Sequence, residues 1–137
     1  MIEKYYSKVE PSKLLHLIHR INEEYGRINL VPESEYIQCS FLKFKNEQTF
    51  KAHKHIFKDR HYPNKIAQES WIVIKGKVKC KFYDLDDTLL CEPILTPGDA
   101  SFTLYGCHNY EILEEGTIVY EYKTGPYEGI ELDKEFI

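Results

Sequence analysis

From Arg27 onward the chain breaks into short extended runs, and this feature constrains the fold more than any other. INLV, YIQCSFLKF, ESWIVIKG, KVKCKFYD, TLLCEPIL, ASFTLY, HNYEIL and TIVYEYK are eight segments rich in β-branched and aromatic residues, separated by turn formers. KVKCKF alternates cleanly, with Val78, Cys80 and Phe82 on one face and Lys77, Lys79 and Lys81 on the other. The stretch from Asp84 to Asp87 marks a hairpin tip, and Pro97-Gly98-Asp99 marks a second tight turn. Strands of this kind bury a face only by closing into a barrel or stacking as two sheets, so an all-β fold is expected.

One segment has helical periodicity. In PSKLLHLIHRINEEYG, Leu14, Leu17, Ile18, Ile21 and Tyr25 recur at helix spacing, Pro11 suits a first turn and Gly26 a stop. This predicts an N-terminal helix over residues 12–25, with His16 and His19 on its flank rather than as metal ligands. At 137 residues the chain is the size of one domain, residues 1–137, with one core. It is too apolar and aromatic, at 42% hydrophobic, to be disordered. No apolar run approaches the roughly 20 residues of a membrane span. MIEKYYSKVEPSK lacks the apolar stretch of a signal peptide, so a soluble cytoplasmic protein without a membrane partner is expected. Cys39, Cys80, Cys91 and Cys107 are far apart, with no CxxC, and are expected as reduced thiols. Cys107 draws notice because it precedes His108.

Charge is uneven along the chain. Residues 1–42 carry a net −1, residues 43–81 carry +8 and residues 82–137 carry −11. A basic middle could be a phosphate-binding patch. The alternative, which we favour, is that the two segments pair in one sheet and partly cancel. Nucleic-acid binders are usually basic as a whole, whereas this chain has a net charge of −4, so no nucleic-acid partner is expected.

His53 and His55 form an HxH pair, which on a strand would project both imidazoles from one face. Glu69 opens the following strand and shares a face with Trp71 and Val73, while His108 shares a face with Tyr110 and Ile112. Two histidines, a carboxylate and a third histidine from three strands suit a transition metal with an open position. An HxH in a β-protein is also often incidental. Glu121 and Lys123 share a face and would be an acid–base pair if that face points inward, or surface charges if it points outward.

HxH, then Glu69, then E-SWIVIK-G, then PGD and GCH ending at His108 resembles the two motifs of the cupin superfamily. The ending IVYEYKTGPYEGIELDKEFI and the stretch VIKGKV…FYD resemble the WbuC-type cupins found with polysaccharide biosynthesis genes. The resemblance spans about Phe50 to Phe136. It implies a cupin-type double-stranded β-helix, or jelly-roll barrel, over residues 36–126, with one divalent transition ion (Zn, Fe, Ni or Mn) held by His53, His55, Glu69 and His108. It also implies a small-molecule ligand, a sugar or sugar nucleotide of surface-polysaccharide metabolism.

The chain departs from the cupin pattern in two places. Thirteen residues, IFKDRHYPNKIAQ, separate His55 from Glu69 where three or four are usual, and GCH stands for G-x-x-H. The insertion carries Lys58, Arg60, His61 and Lys65, which are candidates for anion or substrate contact. His61 is also an alternative to Glu69 as ligand. Three functions compete. One is an isomerase, epimerase or lyase using Tyr110 or Glu121 to move a proton beside the metal. The others are a mononuclear iron dioxygenase and a non-enzymatic ligand-binding module. A homodimer through the N-terminal helix and the YIQCSFLKF strand is expected, because small barrels leave edges that need cover.

Overall fold

The computed structural model describes residues 1–57, 66–125 and 129–137, apart from the Leu132 side chain. Among them the chain is all-β apart from one helical turn. The strands are β1 (Ile2–Tyr6), β2 (Leu14–His19), β3 (Gly26–Asn29), β4 (Ser40–Lys43), β5 (Glu69–Lys75) and β6 (Val78–Tyr83). They continue with β7 (Leu89–Cys91), β8 (Ile94–Leu95), β9 (Ala100–Thr103), β10 (His108–Ile112) and β11 (Ile118–Lys123), before the turn α1 (Ile130–Asp133). One sheet has the order β1-β2-β9-β5-β11 and a second the order β10-β6-β7 with β8 also beside β6, while β3 and β4 form a hairpin. No helix among the described residues is long and apolar enough to cross a membrane.

From β5 onward the chain passes repeatedly between the two large sheets. β5, β9 and β11 belong to the first, whereas β6, β7, β8 and β10 belong to the second. Two of these crossings require glycine. Gly76, between β5 and β6, has φ +83°, and a Cβ there would lie 2.8 Å from the Thr117 Cα. Gly106, between β9 and β10, has φ +77°, and its Cβ would meet the Tyr83 carbonyl at 2.6 Å.

The first sheet is covered on both faces. Ile18 and Val73 pack across the intersheet space onto Val78, Cys80, Phe82 and Leu95 of the second sheet. On the opposite face Leu17, Ala100 and Phe102 pack with Leu30, Val31 and Ile37. Each fully buried Leu, Ile or Phe contributes about 1.5–3 kcal/mol by leaving water.

This double burial corrects the expected helix over residues 12–25. The segment from Leu14 to His19 is strand β2, hydrogen-bonded between β1 and β9. A strand buried on both faces is apolar without interruption, and a short apolar run matches a helical stripe as well as a strand. Tertiary placement decides between them. His16 and His19, expected on a helix flank, are 0% and 2% exposed. The dimer contact expected through that helix has no helix to use.

The other β segments fall near their expected positions, although INLV contributes only Ile28 and Asn29, YIQCSFLKF only Ser40–Lys43, and TLLCEPIL divides into β7 and β8. Along β6, Val78, Cys80 and Phe82 are buried while Lys79 and Lys81 are only half-buried. The tip at Asp84 closes by a bond from the Asp84 N–H to the Thr88 carbonyl, and the turn at Gly98 by one from Asp99 N–H to Thr96 carbonyl. The basic β6 face pairs with acidic neighbours: Lys77 with Glu114 at 2.9 Å, Lys79 with Glu111 at 3.1 Å and Lys81 with Glu92 at 3.9 Å. The basic middle and acidic end thus partly cancel in one sheet. Such exposed pairs are worth about 0.2–1 kcal/mol each.

The HxH pair is not on a strand. Residues 51–57 have no regular secondary structure and are exposed. Strand formation needs a partner as well as an alternating pattern, and this segment has none among the described residues.

Candidate functional site

The space between the two large sheets changes character along its length. At one end Ile18, Val73, Val78 and Leu95 make an apolar layer. Toward the other, the inward positions are taken by Glu69 and Trp71 of β5, Ser101 and Thr103 of β9, His108 and Tyr110 of β10, and His16 of β2. Period-2 alternation and antiparallel register produce this convergence. Glu69 lies opposite Thr103 on β9 and Lys123 on β11, and Trp71 lies opposite Ser101 and Glu121.

Its centre is an acid–imidazole pair. His108 Nε2–H donates to Glu69 Oε1 at 3.1 Å, with the side chains 22% and 9% exposed. Burial raises the Glu69 pKa, but the His108 hydrogen bond and the electrostatic influence of His108, Lys134 and Lys123 outweigh it. They hold the carboxyl below its usual range. Glu69 is therefore ionised at neutral pH, and it fixes the tautomer and orientation of the imidazole.

Beside this pair stands an aromatic wall. The rings of Trp71 and Tyr110 stack at 4.0 Å and 8°, and Trp71 Nε1–H donates to Glu121 Oε2 at 3.1 Å. The Tyr110 hydroxyl is 3.0 Å from Ser101 Oγ, and burial pushes its pKa far up, so it stays a neutral phenol. Deeper in, His16 Nε2 is 2.9 Å from the Tyr83 carbonyl and Nδ1 is 3.1 Å from Thr103 Oγ1. Because the carbonyl can only accept, Nε2 carries the proton and Nδ1 accepts from the threonine. His16 also stacks on Phe82 at 4.4 Å, and burial lowers its pKa to about 4. It is a neutral, satisfied core histidine. The thiols are poor nucleophiles here: burial pushes Cys80 up to about 12 and also raises Cys107.

The structure therefore brings together Glu69, His108, Tyr110 and Glu121 of the residues singled out from sequence. Glu121 and Lys123 share the face of Trp71 and Glu69, with Glu121 at its exposed rim and Lys123 half-buried. His53 and His55 stand apart, in the exposed segment 51–57, with rings 5.4 Å apart and His53 Nδ1 3.1 Å from the Lys51 carbonyl. Lys58, Arg60, His61 and Lys65 lie outside the described residues.

The four-ligand metal set is not assembled by this arrangement. Among the described residues no group of three or more His, Cys, Asp or Glu side chains is placed to hold an ion. Sequence reasoning did not assign roles to Trp71, Ser101 or Thr103, although the alternation that exposed Glu69 and His108 also carries Trp71 inward.

Comparison with known proteins adds no relative: no family model, curated protein or solved structure matches the chain. The fold and site define a class only, that of two-sheet antiparallel β-proteins with an acid–base pair at the polar end of the intersheet space.

Proposed function

We propose that the protein is a cupin-type jelly-roll barrel that moves a proton on a sugar or sugar nucleotide, in the manner of an isomerase, epimerase or lyase of cytoplasmic surface-polysaccharide metabolism. The Glu69–His108 hydrogen bond carries this reading. An imidazole whose Nε2–H is committed to a carboxylate keeps Nδ1 as its basic nitrogen, and the ionised carboxylate stabilises the imidazolium formed when that nitrogen takes a proton. His108 would remove the proton from a carbon next to a carbonyl, leaving an enediolate, and return it to that carbon or its neighbour. Lys123 and Lys134 provide positive charge near the developing anion. The Trp71–Tyr110 wall suits the apolar C–H face of a sugar ring, and Glu69 and Glu121 suit its hydroxyls. The metal centre implied by the cupin resemblance would need His53 and His55 of the exposed segment 51–57 to join Glu69 and His108, and no step of this reading is routed through it.

Self-association belongs to the same proposal. Among the described residues β11 is an edge strand, and Tyr120 and Tyr122 on it are 59% and 57% exposed, a surface that a second copy would cover. Light scattering at micromolar concentration reads this directly.

The enzymatic reading is tested by incubating the protein with a panel of reducing sugars and keto-sugar nucleotides, which carry the carbonyl the step needs, in heavy water and following deuterium incorporation by NMR. Exchange is expected with the native chain and a loss of about 10²–10⁴-fold in His108→Gln, with Glu69→Gln close behind. Saturable binding without exchange would replace the enzyme by a ligand-binding module at the same cleft. Equal exchange in both variants would remove the pair from the mechanism.

A further inference from the structure

We propose that the C-terminal turn, residues 129–134, is a strap latched over the mouth of the cleft by the ion pair between Lys123 and Asp133, and that its release admits ligand to Glu69 and His108. The latch has a defined position. Lys123 Nζ is 3.3 Å from Asp133 Oδ2, with side chains 21% and 18% exposed, and Lys123 is the register partner of Glu69 on β5. Asp133 is thus held at the polar end of the intersheet space, and Lys134 follows it directly. The charges of Lys134 and Lys123 both act on Glu69, which places the turn beside the acid–imidazole pair.

The strap is also weakly built. α1 has four residues, no side-chain cap at Gly129 and no basic residue in its last turn. A single turn of helix does not persist on its own. Ile130 in the turn and Phe136 beyond it are 54% and 81% exposed. The Lys123–Asp133 pair ties the turn to β11. A pair that is partly exposed shifts an equilibrium only a few-fold, so breaking this latch lies within reach of thermal energy.

Trp71 is the sole tryptophan and shares the inward face of Glu69, which makes it a reporter of access that does not depend on any enzymatic activity. Acrylamide quenching of its fluorescence is measured for the native chain, for Asp133→Asn and for a chain ending at residue 128. Carbethoxylation of His108 is followed in parallel by mass spectrometry. Low salt should show quenching and His108 labelling about twofold or more faster in both variants than in the native chain. Raising salt to about 1 M, where the screening length falls to roughly 3 Å, should bring the native chain toward the variants and move Asp133→Asn much less. Far-UV spectra confirm that the sheets persist; should the shortened chain unfold, Asp133→Asn and the salt series decide the matter. Identical quenching and labelling in native and Asp133→Asn at low salt would overturn the proposal. So would a salt response as large in Asp133→Asn as in the native chain.

Discussion

His16 gives this protein a pH-dependent stability that can be worked out in advance. Its imidazole is fully buried, stacked on Phe82, and bonded to the Tyr83 carbonyl and Thr103 hydroxyl. Burial, the largest influence, lowers its pKa from 6.5 to about 4. A histidine with a lowered folded-state pKa favours the native state while it is neutral. That contribution is complete above the unfolded value of 6.5 and is lost as pH falls from there toward 4, because the unfolded chain binds the proton first. Over the whole window this amounts to about 3 kcal/mol, at 1.36 kcal/mol per pH unit, and to about 2 kcal/mol between pH 7.5 and pH 5.

Carboxylates with lowered values, such as Glu69 and Glu3, lose their contribution from the unfolded value of 4.5 downward, mostly below pH 5. His19 moves in the same direction as His16, so the comparison needs a variant. Urea unfolding of native protein and His16→Gln at pH 7.5 and pH 5 provides it. His16→Gln should be less stable at pH 7.5 by about 1–3 kcal/mol, from the lost stacking and imperfect hydrogen bonds. Between the two pH values the native midpoint should fall about 1 M further than that of the variant, taking an m-value near ~2 kcal/mol/M. Equal falls in midpoint would refute a neutral buried His16.

Gly76→Ala should cost about 1–3 kcal/mol in thermal unfolding, because φ +83° and the Thr117 backbone both oppose a Cβ; unchanged stability would mean that the β5–β6 crossing tolerates a side chain. His53→Ala/His55→Ala should unfold within about 0.5 kcal/mol of the native chain, since both imidazoles are exposed and stand apart from Glu69. Elemental analysis of the same pair of proteins would expose the opposite case, a stoichiometric ion lost together with stability, which would show the four donors closing on one centre.

Much of the site was legible because strand side chains alternate with a period of exactly two residues, and this needs no knowledge of partners. Alternation alone put Glu69 with Trp71, His108 with Tyr110 and Glu121 with Lys123, and the structure keeps each of these pairings on one face. It left open whether the Glu121 face pointed inward, since both faces of an isolated strand are equivalent until a second sheet covers one. The register of β11 on β5 settled that by setting Glu121 against Trp71 and Lys123 against Glu69.

Local pattern determined that this chain is built of short β-strands joined by tight turns, because β-branched and aromatic runs and turn residues act within a few positions of one another. Tertiary structure alone decided that residues 14–19 are a strand, that His16 is a core residue, and that residues 51–57 lie outside the sheets. The physical reason is the same in all three. A strand is stabilised by hydrogen-bond partners and buried faces supplied from distant positions: β2 acquires them from β1 and β9, whereas the alternating HxH segment acquires none among the described residues.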